Sequence, residues 1–175
     1  MEKSCTTISI IKQKTNKMKY LQLFEHFLFE IGDTSAKKYK YKIKGKIDDM
    51  SEFNKRIDAK FKTESKLKYT LTVINTNSFL DVDFTADGEY DETNRGEMFK
   101  VMATVVDVIE NIVNSNEGIR GVRYEPKYKG NDPNDFGEGR DRLYRRFIEK
   151  SIKRLGKSIK FTQQGGTVFG TITEE

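Results

Sequence analysis

Apolar residues recur at a helical step between Met98 and Ile112: Met98, Val101, Met102, Val105, Val108, Ile109 and Ile112. No other segment is so regular. The pattern leaves much of the helix circumference apolar, so such a helix must lie buried against a further layer. The segments around it have a different period. Lys38, Lys40, Lys42, Lys44 and Lys46 alternate with Tyr39, Tyr41, Ile43, Gly45 and Ile47, which predicts a strand with one buried face and one lysine face. Lysine on a strand also protects a sheet edge. A buried helix set among strands restricts the chain to the mixed fold classes.

Further strands follow from β-branched and aromatic content. Residues 68–74 (KYTLTVI) and 79–84 (FLDVDF) flank the turn Asn75-Thr76-Asn77-Ser78. Residues 48–60 fit either a helical turn around Met50, Phe53 and Ile57 or a strand through Ile57, Ala59 and Phe61. The long helix ends at residues 114–118, and residues 119–125 predict a short strand closed by Pro126. A second long helix is predicted over 140–155, with Leu143, Phe147, Ile148, Ile152 and Leu155 inward and Gly156 as its stop. Residues 158–163 and 167–173, joined through Gly165-Gly166, make a closing hairpin. The predicted fold is α+β: a mixed, mostly antiparallel sheet with two long helices, in the order β-β-β-α-β-α-β-β.

The first 37 residues read differently. Residues 1–17 are polar and aperiodic, the pattern of a disordered arm or of a start codon placed too early. Residues 18–30 (MKYLQLFEHFLFE) predict a short amphipathic helix, and residues 31–37 a linker to a single domain over 38–175.

Composition removes several classes of function. The 175 residues hold one cysteine and one histidine. One cysteine excludes a disulfide framework within the chain and a cysteine-rich zinc site. One histidine excludes a multi-histidine metal site and argues against a catalytic triad. No metal site is expected. No apolar run approaches the roughly 20 residues of a membrane-crossing helix, and no secretory signal pattern is present. Neither secretion nor a membrane-crossing helix is therefore expected. Net charge is +5, from 32 Lys+Arg against 27 Asp+Glu, which is mildly basic.

Two charged groups stand out. The second helix carries Arg142, Arg145, Arg146, Lys150 and Lys153. With the lysines of 38–46 these residues predict a phosphate-binding surface, as in a small non-specific nucleic-acid-binding module. An acidic run includes Asp81 and Asp83, which alternation places on one strand face opposite Leu80, Val82 and Phe84. One of these carboxylates is a candidate general base. Both groups also fit solvated faces.

The element order resembles the core of the GNAT acetyltransferase superfamily, over about residues 38–175. The resemblance implies that the loop ending at Gly96, which opens the first long helix, offers backbone N–H groups and a helix N-terminus to the pyrophosphate of acetyl-CoA or another acyl-CoA. Asn94, Arg95 and Gly96 are the implied cofactor-binding residues. Leu143-Tyr144 is similar to the Leu-Tyr of a later family helix, and implies Tyr144 as the general acid to the leaving thiolate of an N-acyltransferase. Read alone, Tyr144 also fits an interfacial aromatic of an amphipathic helix.

Residues 18–30 resemble the targeting tags on internal head proteins of tailed phages with a prohead protease. Met18-Lys19-Tyr20, Phe24-Glu25, Phe27 and Leu28-Phe29-Glu30 carry that likeness. It implies cleavage between Glu30 and Ile31. The function expected first is that of a phage accessory or virion-associated protein on a GNAT-like scaffold. It would act by binding, to packaged DNA or to another phage or host protein, rather than by chemistry.

Overall fold

The structure is a computed structural model that describes residues 37–87, 97–126 and 138–174. The chain divides into two units, 1–36 and 37–175. The first unit lies outside the described residues, and with it the expected arm, short helix and Glu30–Ile31 bond. So do Asn94, Arg95 and Gly96.

The described elements are β1 (Tyr41–Lys44), a 3-10 turn (Ile47–Ser51), β2 (Arg56–Lys62), β3 (Lys68–Thr76), β4 (Phe79–Ala86), α1 (Met98–Ser115), β5 (Gly121–Tyr124), α2 (Glu138–Arg154), β6 (Lys157–Gln164) and β7 (Thr167–Glu174). The strands form one seven-stranded sheet in the order β1-β2-β3-β4-β5-β7-β6. Every neighbouring pair is antiparallel except β4 and β5, which are parallel. A parallel pair needs a crossover connection, and α1 is that crossover. The class is α+β with a mixed, mostly antiparallel sheet and two long helices, as the sequence predicts. Four strands precede α1, one more than the predicted order.

Alternation builds the two faces of the sheet. Along β3, Tyr69, Leu71, Val73 and Asn75 are buried while Lys68, Thr70, Thr72 and Ile74 are not. Of the buried set, Leu71 and Val73 share one core with Ile57 and Ala59 of β2, Leu80 of β4, Val122 of β5 and Val168 of β7, while Tyr69 packs with Tyr39, Phe61, Ala86 and Val101. In α1 the predicted residues Val101, Met102, Val105, Val108, Ile109 and Ile112 are all buried. Each contributes about 1.5–3 kcal/mol on leaving water. Val106 and Val113 are buried as well, because α2 covers a second flank of α1. The Ser151 hydroxyl and the Arg154 guanidinium, both from α2, donate to Glu110 of α1 at 2.8 and 2.7 Å and tie the helices together.

Two predicted segments change. The lysine alternation over 38–46 yields only the strand Tyr41–Lys44. Gly45 breaks the extended backbone at φ +106, and a Cβ there would meet the Arg56 carbonyl oxygen at 2.8 Å. Before the strand, the Tyr39 N–H donates to the Thr104 hydroxyl at 2.9 Å and Lys38 pairs with Asp107, so α1 takes residues 38 and 39 from the sheet. The ambiguous stretch 48–60 resolves into both alternatives, a 3-10 turn that buries Met50 and then β2. Two buried asparagines hold that turn. Asn75 Nδ2 donates to the Met50 and Glu52 carbonyls at 2.9 and 3.1 Å. Asn116 Nδ2 donates to the Ile47 carbonyl and its Oδ1 accepts the Ser51 N–H, each at 2.9 Å.

Candidate functional site at the fork of β4 and β5

The parallel ladder between β4 and β5 has three pairs, Phe79↔Gly121, Leu80↔Val122 and Asp81↔Arg123. Beyond them β4 stays with β3 as far as Ala86, and β5 stays with β7 through Tyr124↔Val168. The sheet therefore forks. On the β5 side, residues 82–86 have no ladder partner among the described residues. A glycine makes the base of the fork possible. A Cβ on Gly121 would lie 2.4 Å from the Gly170 carbonyl oxygen and 2.5 Å from the Phe79 ring, so only glycine fits between β4 and β7. The fork opens at the carboxyl ends of the two parallel strands, where the chain departs for α1 and α2. Sheets with parallel strands place ligands at such points.

The helix side of the fork is aromatic. Tyr144 of α2 sits between Phe84 of β4 and Tyr124 of β5, edge-on to both, with ring centroids 5.8 and 5.6 Å away. The Tyr124 hydroxyl donates to Asp141 Oδ1 at 2.9 Å, and Arg145 Nε donates to Asp141 Oδ2 at 2.7 Å. The Arg145 guanidinium also lies over the Phe161 ring, 5.2 Å from its centroid. Burial, then the Asp141 carboxylate, push the Tyr124 phenol far above the ordinary tyrosine range. Tyr124 is thus a neutral donor that orients Asp141, not a base.

The open side of the fork is polar. A cavity of about 520 Å³ lies there, lined by Thr72, Asp81, Asp83, Arg123, Glu125 and Phe169 among others. Asp81 and Arg123 form a two-toothed ion pair, and the Thr76 hydroxyl donates to Asp81 Oδ2 at 2.9 Å. Asp81 and Asp83 do share one face, as alternation predicts. Both Asp81 carboxylate oxygens, however, are engaged by Arg123.

The opening of α1 is acidic. Glu97 precedes the first turn, and its carboxylate accepts the Ser65 N–H at 2.8 Å and the Ser65 hydroxyl at 2.6 Å. Burial opposes ionisation of Glu97, but the Ser65 bonds outweigh it and hold the carboxyl below its ordinary range. Beside it, hydrogen bonds from Lys100 and then Tyr39 pull the Glu64 carboxyl down to about 2. A fixed negative charge thus stands where a helix would otherwise attract phosphate.

The predicted basic surface separates into two. Arg142, Arg146, Lys150 and Lys153 are exposed on α2. Arg145 is bound to Asp141 and does not join them. Lys42 and Lys44 alternate with Tyr41 and Ile43, which pack towards the helices, so the lysines point to the other side of the sheet. Lys42 and Lys44 therefore do not share a surface with the cations of α2.

The sequence reading missed the Tyr124–Asp141–Arg145 group and the Glu97–Ser65 contact. The first had a partial signal in the Asp141/Arg145 spacing of four; the second had none. Among the described residues no cluster of three or more His, Cys, Asp or Glu side chains converges as a metal site, and no helix is long and apolar enough to cross a membrane. Comparison with known proteins gives no match to a family model, a curated protein or a solved structure.

Proposed function

We propose that this chain is a phage-type accessory protein that acts by binding, on an acetyltransferase-like α+β scaffold. Three strands, a helix, a strand, a helix and two strands follow one another from β2 to β7, which supports the scaffold part of the reading. The tag-like residues 18–30 support the phage part of the reading. The observation that carries binding over chemistry is the opening of α1. Glu97 is held there as a carboxylate by Ser65, and an acyl-CoA pyrophosphate placed at that helix end would meet it at close range. Glu97 does not fit a pyrophosphate at that helix end.

A second reading, an acyl-CoA-dependent N-acyltransferase, is favoured by the fork and by Tyr144 between its prongs. One titration separates the two. Acetyl-CoA added to the full chain in a calorimeter is expected to give no saturable heat up to millimolar ligand. Micromolar binding that disappears in Gly96→Glu would overturn the binding-only reading. Turnover that falls in Tyr144→Phe would then give Tyr144 its role.

A further inference from the structure

The open face of β1–β3 carries more positive charge than folding explains. Lys42 of β1 stands directly opposite Lys60 of β2, and Lys62 of β2 directly opposite Lys68 of β3. Residues so paired point to the same face with their Cβ atoms about 5 Å apart, and like charges there are destabilising. Lys44, one pleat along β1 from Lys42, extends the group. All five are exposed, and none is in an ion pair among the described residues. Two carboxylates adjoin them: Asp58, opposite Lys44, already accepts from Arg56 and from the Thr72 hydroxyl, and Asp87 accepts the Lys68 main-chain N–H at 3.1 Å.

Edge protection accounts for lysines on β1, which is the last strand of the sheet. It does not account for Lys60, which lies on the interior strand β2. Lys60 has ladder partners on both sides, Lys42 and Thr70, and needs no guarding, while Lys62 and Lys68 end their ladders as each other's single strand partner. Like charges set directly opposite one another, one of them at a doubly paired position, point to an external counter-charge.

This lattice of lysines also describes its partner. Its charges repeat every 6.6–6.8 Å or so along a strand and every 4.8 Å or so between strands, a dense array suited to a polyanion with closely spaced charges. Every cation in it is a lysine, a point charge for phosphate without the fork geometry that reads base edges. No aromatic side chain of β1–β3 points to this face, so there is no platform for stacking unpaired bases. No apolar side chain stands among the five lysines to enter a bilayer.

We propose that the open face of β1–β3 docks, without sequence preference, on the phosphodiester backbone of a double helix. This deepens the binding reading above, but it rests on residues that the acetyl-CoA titration does not touch, so either can fail alone. The test is fluorescence anisotropy of the full chain with a labelled duplex over a range of salt. Log affinity should fall linearly with log salt, and Lys60→Gln with Lys62→Gln should flatten the slope by about 0.9 per lysine. At 0.1 M salt that is a loss on the order of tenfold for each lysine removed. Arg146→Gln with Lys150→Gln on α2 should leave slope and affinity unchanged, and thermal melts should show both pairs folded. Duplex DNA and duplex RNA should bind within a few-fold of each other; a larger gap identifies which one the face takes. Equal losses from the α2 pair, tighter binding to single strands, binding to phosphatidylserine vesicles but not to a duplex, or no binding at low salt would each overturn the proposal.

Discussion

The two faces of the sheet share every strand and every ladder, yet they answer to different constraints. On the covered face Ile57, Ala59, Leu71, Val73 and Leu80 are each 0 % exposed. One residue away along the same strands, the open face presents Asp58, Lys60, Lys68, Thr70 and Thr72. The covered set fixes register, because a one-residue slip would turn the lysines into the core. The open set has no such duty. Its charges are free to serve a partner, and the fold tolerates their mutual repulsion because solvent and salt screen it.

Substitutions on the two faces should therefore differ in size and in sign. The largest effect is expected on the covered face. Leu71→Ala leaves a cavity in the centre of β3 and should cost about 2–5 kcal/mol, read from the denaturant midpoint. A loss under 0.5 kcal/mol would mean that the covered face is not the one that holds the fold.

A smaller effect is expected at the turn between the faces, and it depends on pH. The Glu97 carboxyl lies below its ordinary value of 4.5, so the unfolded chain binds the proton more readily. The stability it contributes is complete above that ordinary value and is lost as pH falls through the lower folded one. Glu97→Gln should thus be less stable than the parent at neutral pH, and the two stability curves should converge on acidification. Parallel curves would show that the Ser65 contact does not form in solution.

The smallest effect should have the opposite sign. Lys60→Thr removes a like-charge neighbour of Lys42 and places a β-branched residue on a strand, so stability should rise by a few tenths of a kcal/mol. Thermal melts at low and high salt check this, since the gain should shrink as salt screens the repulsion. A destabilised variant would mean that the attraction of Lys60 to Asp58 outweighs its repulsion of Lys42.

How much of this was legible follows from the range of each interaction. Alternation and helical step are local, so the core residues of β3 and α1 could be read directly. The second strand hid behind residues 48–60 because the forces that end the 3-10 turn come from elsewhere. Asn75 reads as a turn residue and Asn116 as a helix stop, and both do act so locally. Their side chains also clamp the turn from 25 and 69 residues away. No spacing rule covers that distance. Charge was the least legible quantity of all. The arginines of α2 read as a basic face, but Arg145 is bound to Asp141 and Arg154 to Glu110. Among the described residues, cations with no ion pair remain on α2, at Arg146, Lys150 and Lys153, and also on the sheet, at Lys42, Lys44, Lys60, Lys62 and Lys68. A count of lysines and arginines cannot separate these from the paired ones, since pairing is decided by the fold.

The short β4–β5 ladder gives the molecule a line of mechanical weakness. Seven or eight pairs hold β2 to β3, β3 to β4 and β6 to β7, while three join the two halves of the sheet edge to edge. Gly121, with no side chain of its own to grip a neighbour, sits on that line. The sheet is thus two leaves on a narrow hinge, strapped from one side by α1 and α2. Thermal motion should open the fork from its free end, beyond the Asp81–Arg123 pair, before it reaches the buried Leu80 and Val122.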